Sequence, residues 1–462
     1  MEVKRSIITK YKLSLPMIIF SGILFLILAW KMDANAGPDE IYRWLVAEWI
    51  ANNGKLPTGF ELDIVNPVWC YSYAFTPYLP SMIAGIFVKI AMVFTSNAQV
   101  LLFAARLISI ISGMGTIYVA FRVGDKLMDN KYSVYFFAGI VAYLPQFTFL
   151  SSYLNNDVLS VLTSFMILDA VLEGLRSGWN TKNMVYLASG TGLCMLTYYF
   201  GYGWALFAVA GYFYTAFRVE KSRKDVFRKA GIIALLVFAV AGWYFIRNGI
   251  IYKGDFLGYR AQQECADYYS VYYAIFPVNN PGGWSMGLRD MLHNGRWVST
   301  TVESFIGVFG GMIICLDGKF YDFYLTVFWA CVLVFTLRRY KTRKKISTPM
   351  LLMLLVTAAF PVVFSIYSSF ARDYQPQGRY LITVLPVICV LCGVGMDEFS
   401  KAVTEKFEGK KPAFAKFGKL VPAIAATGLF LMFIVIFYTV ILPTLTFIYL
   451  PGADKVMFYY VR

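Results

Sequence analysis

The sequence predicts an all-α protein, a polytopic bundle of about 11 membrane-spanning helices with 13 as the upper bound. Three observations predict it. Of 462 residues, 58% are hydrophobic and 15% charged, and the mean hydropathy is +0.59. Apolar runs of about 17 to 25 residues, the length a helix needs to cross a hydrocarbon core, recur along the whole chain. Of the 42 Lys and Arg, 27 fall in six short segments: 1–13, 122–131, 176–182, 217–230, 338–345 and 397–419. Such a clustering of cations is the positive-inside pattern. These figures exclude an ordinary soluble domain, a disordered chain, a disulfide scaffold and collagen. The net charge of +15 reflects orientation in the membrane and contact with anionic membrane lipids, so no nucleic acid is expected as a partner.

The expected spans are 14–30, 99–121, 132–150, 157–175, 184–199, 202–217, 231–247, 321–337, 349–366, 380–396 and 421–444. A further apolar stretch, 77–94, is interrupted by Pro77, Pro80 and Lys89. Crossing there would put the basic loops on the wrong side, so it is expected as a juxtamembrane or re-entrant helix. The N-terminus then lies inside and the C-terminus outside. Residues 1–30 form the first anchor, retained even though Ala34-Asn35-Ala36 looks like a signal-peptide cleavage site behind Lys4, Arg5, Lys10 and Lys12. Residues 31–98 form an outer loop with juxtamembrane helices. The remaining divisions are the membrane bundle 99–247, a large outer loop 248–320, membrane helices 321–396, a charged cytoplasmic segment 397–419, and the last span with its outer tail, 420–462. Large outer loops beside short cytoplasmic turns place the chemistry outside.

Much familiar chemistry is missing from the residues. There is no GxxxxGK[ST], no GxGxxG opening a helix and no HExxH. His293 is the sole histidine and has no nucleophile elbow beside it, which leaves a Ser-His-Asp site unsupported. Cys389 and Cys392 sit in an apolar span, where two small apolar residues are a better reading than a redox or zinc pair. Cys70, Cys265 and Cys315 lie in outer segments, where oxidation is permitted, but the sequence assigns no pairing.

The first outer loop carries an acidic pair, Asp39 and Glu40. Ile41, Trp44, Leu45, Trp49 and Ile50 recur at helical spacing behind it, with Arg43, Ala47 and Glu48 largely elsewhere. This predicts an amphipathic helix lying on the membrane surface, capped by Asn35 or Gly37 and begun by Pro38. Acidic residues in a first helical turn also suit the positive end of the helix, which alone explains their place. A carboxylate at the lipid–water boundary can instead act on a substrate whose tail stays in the bilayer. Asp157, in Asn155-Asn156-Asp157, lies near another outer turn; it either caps a helix or faces the same space.

An acidic pair in the first outer loop on a juxtamembrane helix resembles the GT-C superfamily of polyprenyl-phosphate-dependent integral membrane glycosyltransferases, which includes the protein O-mannosyltransferases and the lipid A aminoarabinose transferase. Ala105-Arg106-Leu107-Ile108-Ser109 with Gly113 and Tyr118, and Pro145 followed by Asn156-Asp157, are similar to that superfamily's arginine-led helix and next outer turn. Trp243-Tyr244-Phe245-Ile246-Arg247-Asn248 with Gly254-Asp255, Glu303-Ser304-Phe305-Ile306-Gly307, and Gln377-Gly378-Arg379-Tyr380-Leu381 with Pro386 resemble a set in a poorly characterised bacterial multi-pass branch. The likeness spans the chain to about residue 395. Ile41-Tyr42 follows the acidic pair and no His-Pro-Pro is near, so the match is to the superfamily and not to the mannosyltransferases.

The resemblance implies transfer of a sugar from a polyprenyl-phosphate-linked donor to an extracytoplasmic acceptor, a cell-surface glycan, lipid or protein. Phosphate is a competent leaving group, so the site needs a base for the acceptor hydroxyl and cations for the departing phosphate. Asp39 is the expected base, with Glu40 in support and Asp157 in a secondary role. Arg379 and Arg247, each at the outer end of a span, are the expected phosphate ligands, with Arg372 and Arg260 behind them. Arginine forms bidentate, charge-assisted contacts with phosphate, although an arginine at a span end also simply snorkels. Arg106, about two turns inside its span, is expected to brace the bundle or the lipid pocket. Trp284, Trp297, Tyr268 and Tyr269 read as an interfacial belt, and 255–300 as an acceptor-side cover. No divalent metal is assigned. The absence of any Asn-x-Ser/Thr site favours a bacterial inner membrane. Two rival classes share the fold expectation: a lipid or sugar transporter or flippase, which would want ionisable residues deep in the membrane, and a catalytically silent subunit of a polysaccharide assembly machine.

Overall fold

The computed structural model describes residues 7–34, 36–273 and 286–447. Lys4, Arg5, Asn35, Trp284 and the tail beyond 447 lie outside the described residues. Eight of the described helices are long and apolar enough to cross a membrane: Ser14–Lys31, Ala98–Leu127, Asp157–Ser177, Arg223–Ile251, Gly318–Leu337, Thr348–Ala371, Gly378–Phe407 and Pro412–Leu445. Each covers one of the expected spans. The other three expected spans are also helical but are not among the eight. The stretch 132–150 is split into Lys131–Ala142 and Pro145–Leu150. Pro145 has no N–H to continue the first helix and opens the second at its N-terminal turn, where no N–H is needed. Thr181–Met195 has 15 residues and Tyr202–Val219 has 18, both lying within the bundle.

The interrupted stretch becomes the helix Leu79–Met92, with a proline in its first turn. At 1.5 Å per residue its 14 residues reach about 21 Å, short of a hydrocarbon core about 30 Å thick. It packs against Glu40–Asn53, and a β-carbon on Gly85 would lie 2.9 Å from the Ala47 carbonyl, so the two helices touch through their backbones. Almost no sheet is present among the described residues beyond the two-residue pair Val308–Phe309 with Ile314–Cys315.

The six basic segments gather at one end of the bundle. Lys10 pairs with Asp125 at 2.5 Å, and Arg176 donates to the Lys126 carbonyl. The Trp179 N–H donates to Glu220 at 3.2 Å, Lys345 binds both Asp129 and buried Asp397, and Lys341 meets Glu405 at 3.0 Å. These contacts tie 1–13, 122–131, 176–182, 217–230, 338–345 and 397–419 to one another. The segments 31–98 and 248–320, expected outside, pack against each other, through Tyr252 to the Thr58 carbonyl at 2.6 Å and Tyr269 to the Phe60 carbonyl at 3.0 Å.

Candidate active site

The helix after the first anchor begins at Glu40, not at Pro38. Asp39 stands at its N-cap with φ 63°, and its side chain makes no capping hydrogen bond. A left-handed backbone costs an ordinary L-residue about 1 kcal/mol or more, and Asp tolerates it better than most. The consequence is chemical: the carboxylate is turned away from the helix end and left for other partners.

The neighbouring carboxylate has a different fate. Glu40 is fully buried, and both its oxygens are taken by the Arg106 fork, at 2.8 Å from Nε and 2.6 Å from Nη2. The Leu154 N–H donates to the same carboxylate at 2.8 Å. Arg106 also donates to the Ala29 and Met32 carbonyls at 2.7 Å and to the Asp33 carbonyl at 3.1 Å. These carbonyls are left over where the first span ends, and one buried arginine satisfies them while neutralising Glu40. Glu40 and Arg106 therefore brace the first outer loop to Ala98–Leu127.

Asp39 keeps 21% of its side chain exposed and forms an ion pair with Arg379. Arg379 opens the 3₁₀ turn Gly378–Val384 at the head of its span and also donates to the Pro38 carbonyl at 3.1 Å. A β-carbon on Gly378 would lie 2.1 Å from the Phe305 amide nitrogen, and the Gly378 N–H donates to Ser304 Oγ at 2.6 Å. Two of the quoted stretches, Glu303–Gly307 and Gln377–Leu381, are thus parts of one contact that sets the height of Arg379. Tyr380 lies beside it, its ring stacked on Phe200 at 5.0 Å and its hydroxyl 3.2 Å from Arg379 Nη2.

Arg43 completes the cluster. It lies four residues after Asp39, is 4% exposed, and sits 4.9 Å from the centre of the Tyr73 ring. Its charge interacts with those of Asp39 and Asp157. Asp157, 2% exposed at the start of its helix, interacts in turn with Arg379, Arg43 and Asp39. The Nε of both Arg43 and Arg379 is buried with no hydrogen-bond partner. Buried guanidinium donors without acceptors are costly, and an anion that accepted from them would relieve that cost. Burial works to raise the Asp39 carboxyl. The guanidiniums of Arg379 and Arg43, with the hydrogen bond from Arg379, outweigh it and hold the group below the usual carboxylate range.

The sequence placed Arg43 on the polar side of a surface helix and gave it no role in the site. A cation one turn after the acidic pair was the available signal, but helical periodicity alone set it on the polar side. The other expected phosphate ligands have partners of their own. Arg247 donates to the Leu56 and Pro57 carbonyls at 3.3 and 2.5 Å, clamping the first outer loop. Arg260 donates to the Tyr252 and Lys253 carbonyls at 3.3 and 3.2 Å. Arg372 lies over the Tyr259 ring, 4.7 Å from its centre, and donates to its hydroxyl. Among the described residues no three His, Cys, Asp or Glu side chains converge as metal ligands.

No family model matches the chain, and neither does any curated protein. Solved structures do. ArnT from Cupriavidus metallidurans bound to undecaprenyl phosphate aligns with 91% of this chain and 75% of its own, at TM-score 0.54 and 12% identity. The archaeal oligosaccharyltransferase AglB from Archaeoglobus fulgidus, in complex with an inhibitory peptide and a dolichol-phosphate, aligns with 98% of this chain and 60% of its own, at TM-score 0.53 and 15% identity. At such identities the likeness establishes the fold alone: the chain shares the polytopic helical membrane bundle of these two proteins.

Proposed function

We propose that this chain is a membrane glycosyltransferase that moves a sugar from a polyprenyl-phosphate-linked donor to an extracytoplasmic acceptor, with inversion at the sugar carbon. The observation that carries this reading is the pair of buried, unpartnered guanidinium N–H groups of Arg379, ion-paired to Asp39, and Arg43, whose charge acts on the same carboxylate. The solved structures that share this fold hold undecaprenyl phosphate and a dolichol-phosphate, ligands of the class such a pair would bind. The positive-inside rule supports the basic end of the bundle as cytoplasmic and this cluster as lying on the outer face, and the lack of any Asn-x-Ser/Thr site favours a bacterial cytoplasmic membrane.

In this mechanism the donor phosphate lies against Arg379 and Arg43, its isoprenoid tail remaining in the bilayer. The acceptor hydroxyl approaches from the outer loops and hydrogen-bonds to Asp39. Its oxygen forms a bond to the sugar carbon on the face opposite the phosphate. The carbon–oxygen bond to phosphate breaks, the electron pair leaves with the phosphate, and the guanidiniums stabilise that charge. Asp39 accepts the hydroxyl proton. Because its arginine partners make it a weak base, transfer comes late, as the acceptor oxygen becomes acidic through bond formation. Glu40 supports Asp39 by fixing the loop through Arg106, and Asp157 helps to hold the two arginines charged. Arg372 lies at the outer rim, while Arg247 and Arg260 shape the loops that receive the acceptor.

The test is transfer by purified protein supplied with lipid-linked sugar, with mass spectrometry of the lipid that copurifies. Asp39→Asn should retain prenyl phosphate and lose transfer. Undiminished transfer by that variant would remove Asp39 as the base, and flux across proteoliposomes without any transfer product would replace the enzyme reading with transport.

A further inference from the structure

Three cysteines lie in outer segments, and the fold separates them. Cys315 is exposed on the short strand Ile314–Cys315. Cys70 and Cys265 are both fully buried in the interface between the two large outer loops. Cys70 occupies the turn closed by the Asn66–Tyr71 bridge, with its N–H donating to the Asn66 carbonyl at 2.7 Å and its backbone at φ 58°. Cys265 projects from the helix Tyr259–Tyr273, and its Sγ lies 3.7 Å from the Cys70 carbonyl. Val65, Phe75, Tyr252 and Ala261 surround Cys265 in one apolar cluster. Two chain segments 195 positions apart are thus brought sulfur to backbone at a site closed to solvent.

We propose that Cys70 and Cys265 form a native disulfide that pins the second outer loop to the first. The proposal rests on the reading of both loops as extracytoplasmic, since thiols persist in a reducing cytoplasm and pair in oxidising compartments. The bond forms by exchange with a protein or small-molecule disulfide. The donor S–S bond breaks to give two thiols, the two cysteine sulfurs join, and their two protons and two electrons pass to the donor. Burial pushes the Cys265 thiol up to about 12, so the packed thiol is a poor nucleophile. Exchange therefore belongs to the period before the loops pack, as they emerge from the membrane.

The link bears on the site through the turn that follows. Tyr71 and Tyr73 lie one and three residues beyond Cys70, and Tyr73 sits under Arg43. A bond at Cys70 fixes the start of that turn, three residues before the Tyr73 ring that meets Arg43.

The experiment uses the full chain in its own membranes. Free thiols are blocked with N-ethylmaleimide in denaturant; the protein is then reduced and treated with isotopically heavy N-ethylmaleimide before peptide mapping. Heavy label on Cys70 and Cys265 and light label on the other five cysteines is the expected result, with a linked Cys70–Cys265 peptide in the unreduced sample. Reductant should also lower the Tm of the wild type and leave that of Cys265→Ser unchanged. Light label on both, or a link from Cys315 to either, overturns the pairing. A Ser96→Cys variant, probed in intact cells with a membrane-impermeant maleimide, separates the causes. Labelling from outside together with light label on Cys70 and Cys265 refutes the disulfide alone. Protection from outside refutes the topology, and the disulfide with it.

Discussion

Asp39 and Arg379 are 340 positions apart in the chain and form an ion pair where the end of one span meets the head of another. The pair joins the end of the first anchor to the head of a late span and sets the protonation of the carboxylate between them. Asp39 lies below its usual range, so its ionised form is present above that lowered value and is lost as pH falls through it. Removing Arg379 takes away the largest influence opposing burial. Arg379→Gln is therefore expected to move the acid limb of the kcat/KM profile to higher pH, in addition to lowering the rate. A limb unchanged in position would mean that Asp39 is not the group that titrates.

Asp39→Asn should cost about 10²- to 10⁴-fold in kcat, the usual worth of a general base. Donor affinity should hold or improve, because a negative charge facing the phosphate has been removed. The readouts are single-turnover transfer and binding of a prenyl phosphate measured on the same preparation.

Arg43→Gln is expected to weaken prenyl-phosphate binding by about 10- to 100-fold, the worth of a lost hydrogen bond to a charged group. Arg43→Lys should recover little, since an ammonium lacks the planar fork and cannot reproduce the contact with the Tyr73 ring. Equal affinity in all three proteins would show that Arg43 only packs against Tyr73.

The Glu40–Arg106 pair predicts a stability cycle. Breaking a buried ion pair from one side costs about 3–5 kcal/mol because the remaining charge is stranded. Glu40→Gln and Arg106→Met should each lower the Tm in detergent, Arg106→Met by more, since the Ala29, Met32 and Asp33 carbonyls lose their donor as well. The double variant should be less damaged than the sum of the two. Additive losses would show that the two side chains do not act as a pair.

Gly378→Ala places a carbon 2.1 Å from the Phe305 nitrogen, against backbone that cannot turn away. The expected result is a loss of about 1–3 kcal/mol of stability, the ordinary cost of overpacking, with lower activity as Arg379 is displaced. A variant of full activity and unchanged Tm would mean that the contact yields without moving the arginine.

What could be read from the sequence was whatever depends on solvent. The bilayer demands long apolar helices and sorts cations to one side, so Ser14–Lys31 and the other spans, the grouping of the basic segments and the short helix Leu79–Met92 follow from composition and order along the chain. The acidic pair and Arg379 were visible for the same reason: charges at the ends of apolar runs stand out. Tertiary contact decided which charge meets which. Asp39 and Glu40 are neighbours in sequence, yet one backbone angle and the Arg106 fork send the second into a brace and leave the first to Arg379. Arg43, Arg247, Arg260 and Arg372 are alike as residues. Only packing shows that Arg247 and Arg260 use guanidinium donors on loop carbonyls, that Arg372 lies against Tyr259, and that Arg43 holds a buried Nε–H without an acceptor. A hydropathy pattern reports each residue's exchange with water or lipid, whereas a site consists of pairings between residues that the chain brings together only after it has folded.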